Sequence, residues 1–141
     1  MRNKGFTLIE LMIVIAIIAI IAAIAIPNLI EARKHGNEAA AIGALKTVST
    51  SQTLYREGDK DGNGTLDYGD LTDLYSANLI DEVLGSGTKQ GFYFAANHHS
   101  TRSEFLWGGL SDPALAGTTG DRSFGVNQAG VIYYTTNDES G

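Results

Sequence analysis

Gly5-Phe6-Thr7-Leu8-Ile9-Glu10 and the run Leu11 to Ile26 that follows it decide how this 141-residue chain is read. The run contains no polar side chain, and from Phe6 to Ile26 it measures about 31 Å as an α-helix at 1.5 Å per residue. That is long enough to cross the hydrocarbon core of a bilayer. One carboxylate interrupts it. Glu10 costs on the order of 3 kcal/mol at bilayer depth if it stays charged and alone. A charge in that position needs a partner.

Arg2 and Lys4 precede the apolar run, which places the N-terminus on the cytoplasmic side of a membrane. Two ordinary readings compete. A secretory signal peptide also has a basic start and an apolar core, with Ala23-Ile24-Ala25 as a small-residue cleavage site. A plain single-span anchor is the other. Neither gives Glu10 a role.

A third reading does. Lys4-Gly5-Phe6-Thr7-Leu8-Ile9-Glu10, the uninterrupted hydrophobic helix and Pro27 resemble the N-terminus of the type IV pilin superfamily, which includes the pseudopilins of type II secretion. The resemblance implies that a prepilin peptidase cuts between Gly5 and Phe6 and that Phe6 is then N-methylated. It also implies that Glu10 pairs with the Phe6 amine of a neighbouring subunit. The physics agrees: cleavage creates an α-amine near the membrane surface, and a paired charge at low dielectric is far less costly than a lone one. The implied life history is an inner-membrane precursor handed by assembly machinery from lipid into a periplasmic or cell-surface filament of identical subunits. Sequencing of the mature N-terminus separates the three readings, which expect methyl-Phe6, Ile26 and Met1.

The bulk charge narrows the function. Ten Lys and Arg stand against 16 Asp and Glu, a net charge of −6, and loss of residues 1–5 makes it −8. Such a balance offers no basic cluster to displace counterions from nucleic acid, so a nucleic-acid partner is not expected. About 110 residues follow the apolar segment, enough for one small domain. There is no cysteine, so something other than a disulfide must tie down the loops of an exported domain.

Along the chain, Ala16, Ala19 and Ala23 place small side chains on one helical stripe, which lets another helix approach. Pro27 predicts a kink or local opening near Ala22–Ile26. Residues 28–57 read as continuing helix, with Ile42, Leu45, Val48 and Tyr55 as a stripe to be buried. Leu71–Ser76 reads as a short helix, with a turn at Ile80–Leu84. Gly91–Ala96, Glu104–Gly108, Phe124–Asn127 and Val131–Thr135 read as strands, the last two joined by a turn at Gln128-Ala129-Gly130. Ser111–Arg122 reads as a loop. The expected fold is α+β: a leader over residues 1–5, a membrane or filament-core helix over 6–27, and a domain over 28–141. In it the helix is covered by three or four antiparallel strands.

Between helix and strands lies Asp59-Lys60-Asp61-Gly62-Asn63-Gly64-Thr65-Leu66-Asp67-Tyr68-Gly69-Asp70. Its oxygen-bearing positions and central glycine resemble the calcium loop of EF-hand and dockerin modules. That resemblance implies Asp59, Asp61, Asn63, the Thr65 carbonyl, Asp67 through water and Asp70 as ligands of a structural calcium ion. Asp70 departs from the EF-hand glutamate. The competing reading is an Asp/Gly/Asn-rich surface turn. His98-His99 has no further metal-ligand spacing around it, and Ser100, Ser103 and Glu104 sit in no nucleophile motif, so an enzyme is not expected. Outside the pilin reading, the alternative is a membrane-anchored calcium-dependent binding module.

Overall fold

The computed structural model describes residues 2–137. Met1–Arg33 and Lys34–Gly141 form two compact units. Helix α1, Leu8–Glu57, contributes its first half to one unit and its second half to the other.

In the first unit the helix begins on a reciprocal cap. The Thr7 hydroxyl accepts the Glu10 N–H at 3.3 Å, while the Thr7 backbone N–H and hydroxyl both donate to Glu10 Oε2 at 2.8 Å. Two N–H groups that a helix start leaves unbonded are satisfied in this way. Beyond it, the large side chains from Leu8 to Ile30 are exposed. By length and composition this segment can cross a membrane. Pro27 stands inside the helix without ending it. The helix is continuous through Ala22–Ile26, so the local opening expected there does not form.

In the second unit α1 buries Glu38, Ala41, Ala44, Leu45, Val48, Ser51, Gln52 and Tyr55, steps of three and four that keep one face inward. Ile42, expected as part of that stripe, is only partly buried. Against this face lies an antiparallel meander in the order β1-β2-β3-β4-β5: Thr88–Lys89, Phe92–His98, Trp107–Pro113, Arg122–Asn127 and Ile132–Thr136. Alternation sends Phe92, Phe94 and Ala96 inward from β2, Trp107 and Ser111 from β3, and Phe124 and Val126 from β4. Gly109 admits close packing there. A Cβ on it would lie 3.0 Å from Val126 Cγ1, 3.2 Å from Trp107 and 3.6 Å from Leu45 of α1.

Three expectations change. The second strand does not span Glu104–Gly108. Residues up to Leu106 form turns closed by Phe105 N–H and Leu106 N–H on the Arg102 carbonyl, and β3 runs on to Pro113, paired throughout with β2. The expected loop therefore begins only after Pro113. β1 was not anticipated, and its two residues bring the strands to five. Short helices α2, Leu71–Ser76, and α3, Glu82–Gly85, start on the side chains of Asp70 and Asp81. The hairpin at 128–130 is present, with Gly130 at φ +72° donating to the Asn127 carbonyl at 2.8 Å.

Ser111 is fully buried, and among the described residues its hydroxyl has no hydrogen-bond partner. Removing a polar group that folding strips of water without replacement is favourable. Ser111→Ala is expected to raise stability by ~1 kcal/mol in a urea titration; a loss of similar size would show that the hydroxyl is satisfied.

Candidate functional site

The residues expected to act in processing and assembly lie together at the start of α1. Phe6 is 93% exposed, and Gly5 has no heavy atom within 4 Å of where a Cβ would stand. The Gly5–Phe6 bond thus precedes the helix in exposed chain outside any regular element. Glu10 lies in the first turn of the helix, its carboxylate folded back on Thr7 through Oε2 alone. The Thr7 contact was missed at first reading, though Thr7-Leu8-Ile9-Glu10 before an apolar run carries the capping-box spacing that predicts it.

The acidic loop is built of local bonds. Asp59, at φ +41°, accepts the Gly64 N–H on both carboxylate oxygens, at 3.1 and 3.3 Å. Asp61 accepts the Asn63 N–H, and Asn63 Oδ1 accepts the Thr65 N–H at 2.6 Å. Residues 59, 61 and 63 therefore all turn their oxygens back onto the loop, helped by Gly62 and Gly64 at positive φ. Asp70 does something different: its Oδ1 caps α2 by accepting the Asp73 N–H at 2.9 Å. Among the described residues, no three His, Asp or Glu side chains converge at metal-holding distance. The donor types suit a hard cation, but the carboxylates are not gathered into a shell.

Their combined field is nevertheless felt at one place. Burial, followed by Asp73, Asp61, Asp67 and Asp70, pushes the Tyr55 phenol up to about 12. The loop is also held without any ion at its far end. Fully buried Gln52 donates to the Gly69 carbonyl at 2.6 Å and accepts the Gly69 N–H at 3.1 Å.

A second clamp substitutes for a disulfide. Glu38, with its side chain 4% exposed, receives Arg122 Nη2 at 2.7 Å, Arg122 Nε at 3.0 Å and the backbone N–H groups of Asp121 and Arg122 at 2.9 and 3.1 Å. Burial works to raise the Glu38 pKa, but the Arg122 guanidinium and these N–H groups outweigh it and hold it below the ordinary value. One turn away, Lys34 pairs with Asp121 at 2.9 Å and Asn37 donates to the Thr119 carbonyl at 3.0 Å. These bonds fasten the loop after β3 to the helix. Bonds that join residues more than 80 positions apart leave no local pattern to read. The two histidines hold no such role: His98 closes β2, and exposed His99 meets Thr101.

Residues 1–26 match the family model of the prokaryotic N-terminal methylation motif. Over 57 residues the chain is 56% identical to the type IV wide pilus major component PilA4 of Thermus thermophilus, 40% of this chain and 44% of that one. Over 60 residues it is 52% identical to the type IV major pilin protein PilA of Myxococcus xanthus, 42% of this chain and 27% of that one. The methylation motif and the pilin stretches thus match this chain over its N-terminal part. A longer match, 26% identical over 91 residues, is to the type II secretion system core protein G of Escherichia coli, covering 64% of this chain and 61% of that one. The two pilus components are thus matched over less than half their lengths. No solved structure matches.

Proposed function

We propose that this chain is a member of the type IV pilin superfamily and a structural subunit of a type IV pilus-like or type II secretion pseudopilus filament. The observation that carries the reading is Glu10, a single carboxylate at the head of a helix whose large apolar side chains are exposed from Leu8 to Ile30. Removal of residues 1–5 frees the Phe6 amine, which is methylated. In the dispersed subunit Thr7 satisfies Glu10 through Oε2, and Oε1 is the oxygen offered to a neighbour's amine. Helix–helix contacts then replace lipid contacts at little hydrophobic cost, so the segment can leave the bilayer for the filament core.

The partners on this reading are other copies of the chain, the prepilin peptidase and the inner-membrane assembly machinery. The precursor lies in the inner membrane with its N-terminus in the cytoplasm. The role is non-catalytic. N-terminal sequencing with electron microscopy tests it: methyl-Phe6 on sheared or periplasmic fibres is expected. An intact Met1 terminus on a detergent monomer would overturn it. Long surface fibres indicate a pilus; a secretion defect without fibres indicates a pseudopilus.

The Asp59–Asp70 loop enters the same proposal as a structural calcium site, with Asp59, Asp61, Asn63, the Thr65 carbonyl, Asp67 and Asp70 as ligands. What supports it is the alternation of oxygen donors and the concentration of negative charge felt by Tyr55. A cation there would neutralise those carboxylates and clamp the connection between helix and sheet. Millimolar calcium is expected to raise the melting temperature relative to chelator. It should also lower the ionisation pH of Tyr55, read as the ultraviolet difference from Tyr55→Phe. No movement in either would leave the segment as a turn.

A further inference from the structure

The face of the sheet turned away from α1 carries a trough. Across β3, β4 and β5 the paired residues Leu110, Gly125 and Tyr133 form one row on this face. Gly125 has no side chain, so the row sags at its centre between two exposed walls. Leu110 leans in from one side, 3.4 Å from where a Cβ on residue 125 would stand. Tyr133 stands on the other, 57% exposed. The rim is polar. Asp112 is next along β3, and Ser123 Oγ and the Asn137 amide bond one another at 2.9 Å, leaving a hydroxyl–amide pair at the trough's end. The hollow measures about 350 Å³, within the range of small-molecule sites.

We propose that this trough binds a neutral carbohydrate. A sugar ring has an apolar C–H face that suits the Tyr133 ring and the Leu110 methyls, and an edge of hydroxyls that can both donate to Asp112 and exchange hydrogen bonds with Ser123 and Asn137. An apolar peptide segment would cover the same walls but leave those three polar groups desolvated without partners, which is costly. Anionic ligands are disfavoured, because no Lys, Arg or His lines the trough and the chain carries a net charge of −6. A second exposed tyrosine, Tyr93 on β2, shares this face beside Asp112. It stands three strand spacings from Tyr133, about 14 Å, so the face can accommodate a short oligosaccharide.

The test uses the full processed chain dispersed in a zwitterionic detergent without sugar headgroups, so its outcome does not depend on filament formation. Cellobiose, lactose, maltose and digalacturonic acid are titrated by saturation-transfer NMR. At least one neutral disaccharide is expected to bind, with a Kd on the order of 1 mM for so open a site, and the uronate about tenfold more weakly. Tyr133→Ala and Gly125→Val, which remove a wall and fill the floor, should each weaken binding at least about tenfold. Their melting temperatures should stay at the wild-type value, and Tyr133→Phe should retain binding. No neutral sugar bound, equal binding by both substitutions, or preference for the uronate would each overturn the assignment.

Discussion

Replacing Glu10 by valine is expected to abolish filament formation while cleavage after Gly5 proceeds. Valine suits the bilayer better than the carboxylate by roughly 3 kcal/mol, so the precursor inserts and meets the peptidase as before. Assembly is where the loss falls. A neighbour's Phe6 amine brought into the helix bundle then has no carboxylate, and leaving one charge of a buried pair without its partner costs about 3–5 kcal/mol. That is more than a hundredfold for each contact, repeated at every subunit added. Immunoblots of sheared fibres and N-terminal sequencing of the membrane fraction read the two steps separately. Normal fibre yield from Glu10→Val would remove the residue from the mechanism.

The second large effect belongs to Glu38. Glu38→Ala takes one acceptor from Arg122 and from two backbone N–H groups at once. Arg122 is partly exposed and can recover water, which moderates the loss, but the two N–H groups are part-buried and lose their acceptor. We expect a destabilisation of ~2–4 kcal/mol by urea titration, with the loop after β3 released first in hydrogen exchange. The pH dependence follows from the direction of the shift. Because the folded pKa lies below the unfolded value of about 4.3, the contribution is fully present above that pH. It is lost as pH falls through the folded pKa. The wild type should therefore weaken below about pH 4.3 more steeply than Glu38→Gln, which has no such proton to take up. Parallel acid profiles would show that the clamp does not depend on charge.

Much of this was legible along the chain. The apolar run, the helix to Glu57, the sequence of short helices and the last hairpin all follow from signals within a few residues of one another. The misses share one cause. Glu104-Phe105 looked like strand because aromatic residues favour it, yet the turn on Arg102 claims the backbone before the ladder begins at Trp107. Gly108-Gly109 looked like the end of a strand, yet Gly109 is where Val126 and Trp107 need the space. Glu38, Ser51 and Gln52 are polar residues of a helix, yet all three are buried.

By itself the sequence determined the element that defines this protein: a helix apolar enough for lipid, with Glu10 at its head and the basic residues Arg2 and Lys4 before it. Those features depend on composition and on spacing within one or two turns, where neighbours in sequence are neighbours in space. Only the tertiary structure decided what holds the domain together without cysteine. The acidic loop drew attention because its residues are consecutive, yet the bonds seen are Glu38 to Arg122, Lys34 to Asp121 and Gln52 to Gly69. The first two join residues more than 80 positions apart and exist only once the sheet has closed over the helix; the third ties the helix to the connection that follows it. The same closure left Gly125 between Leu110 and Tyr133, a hollow that no stretch of the chain spells out.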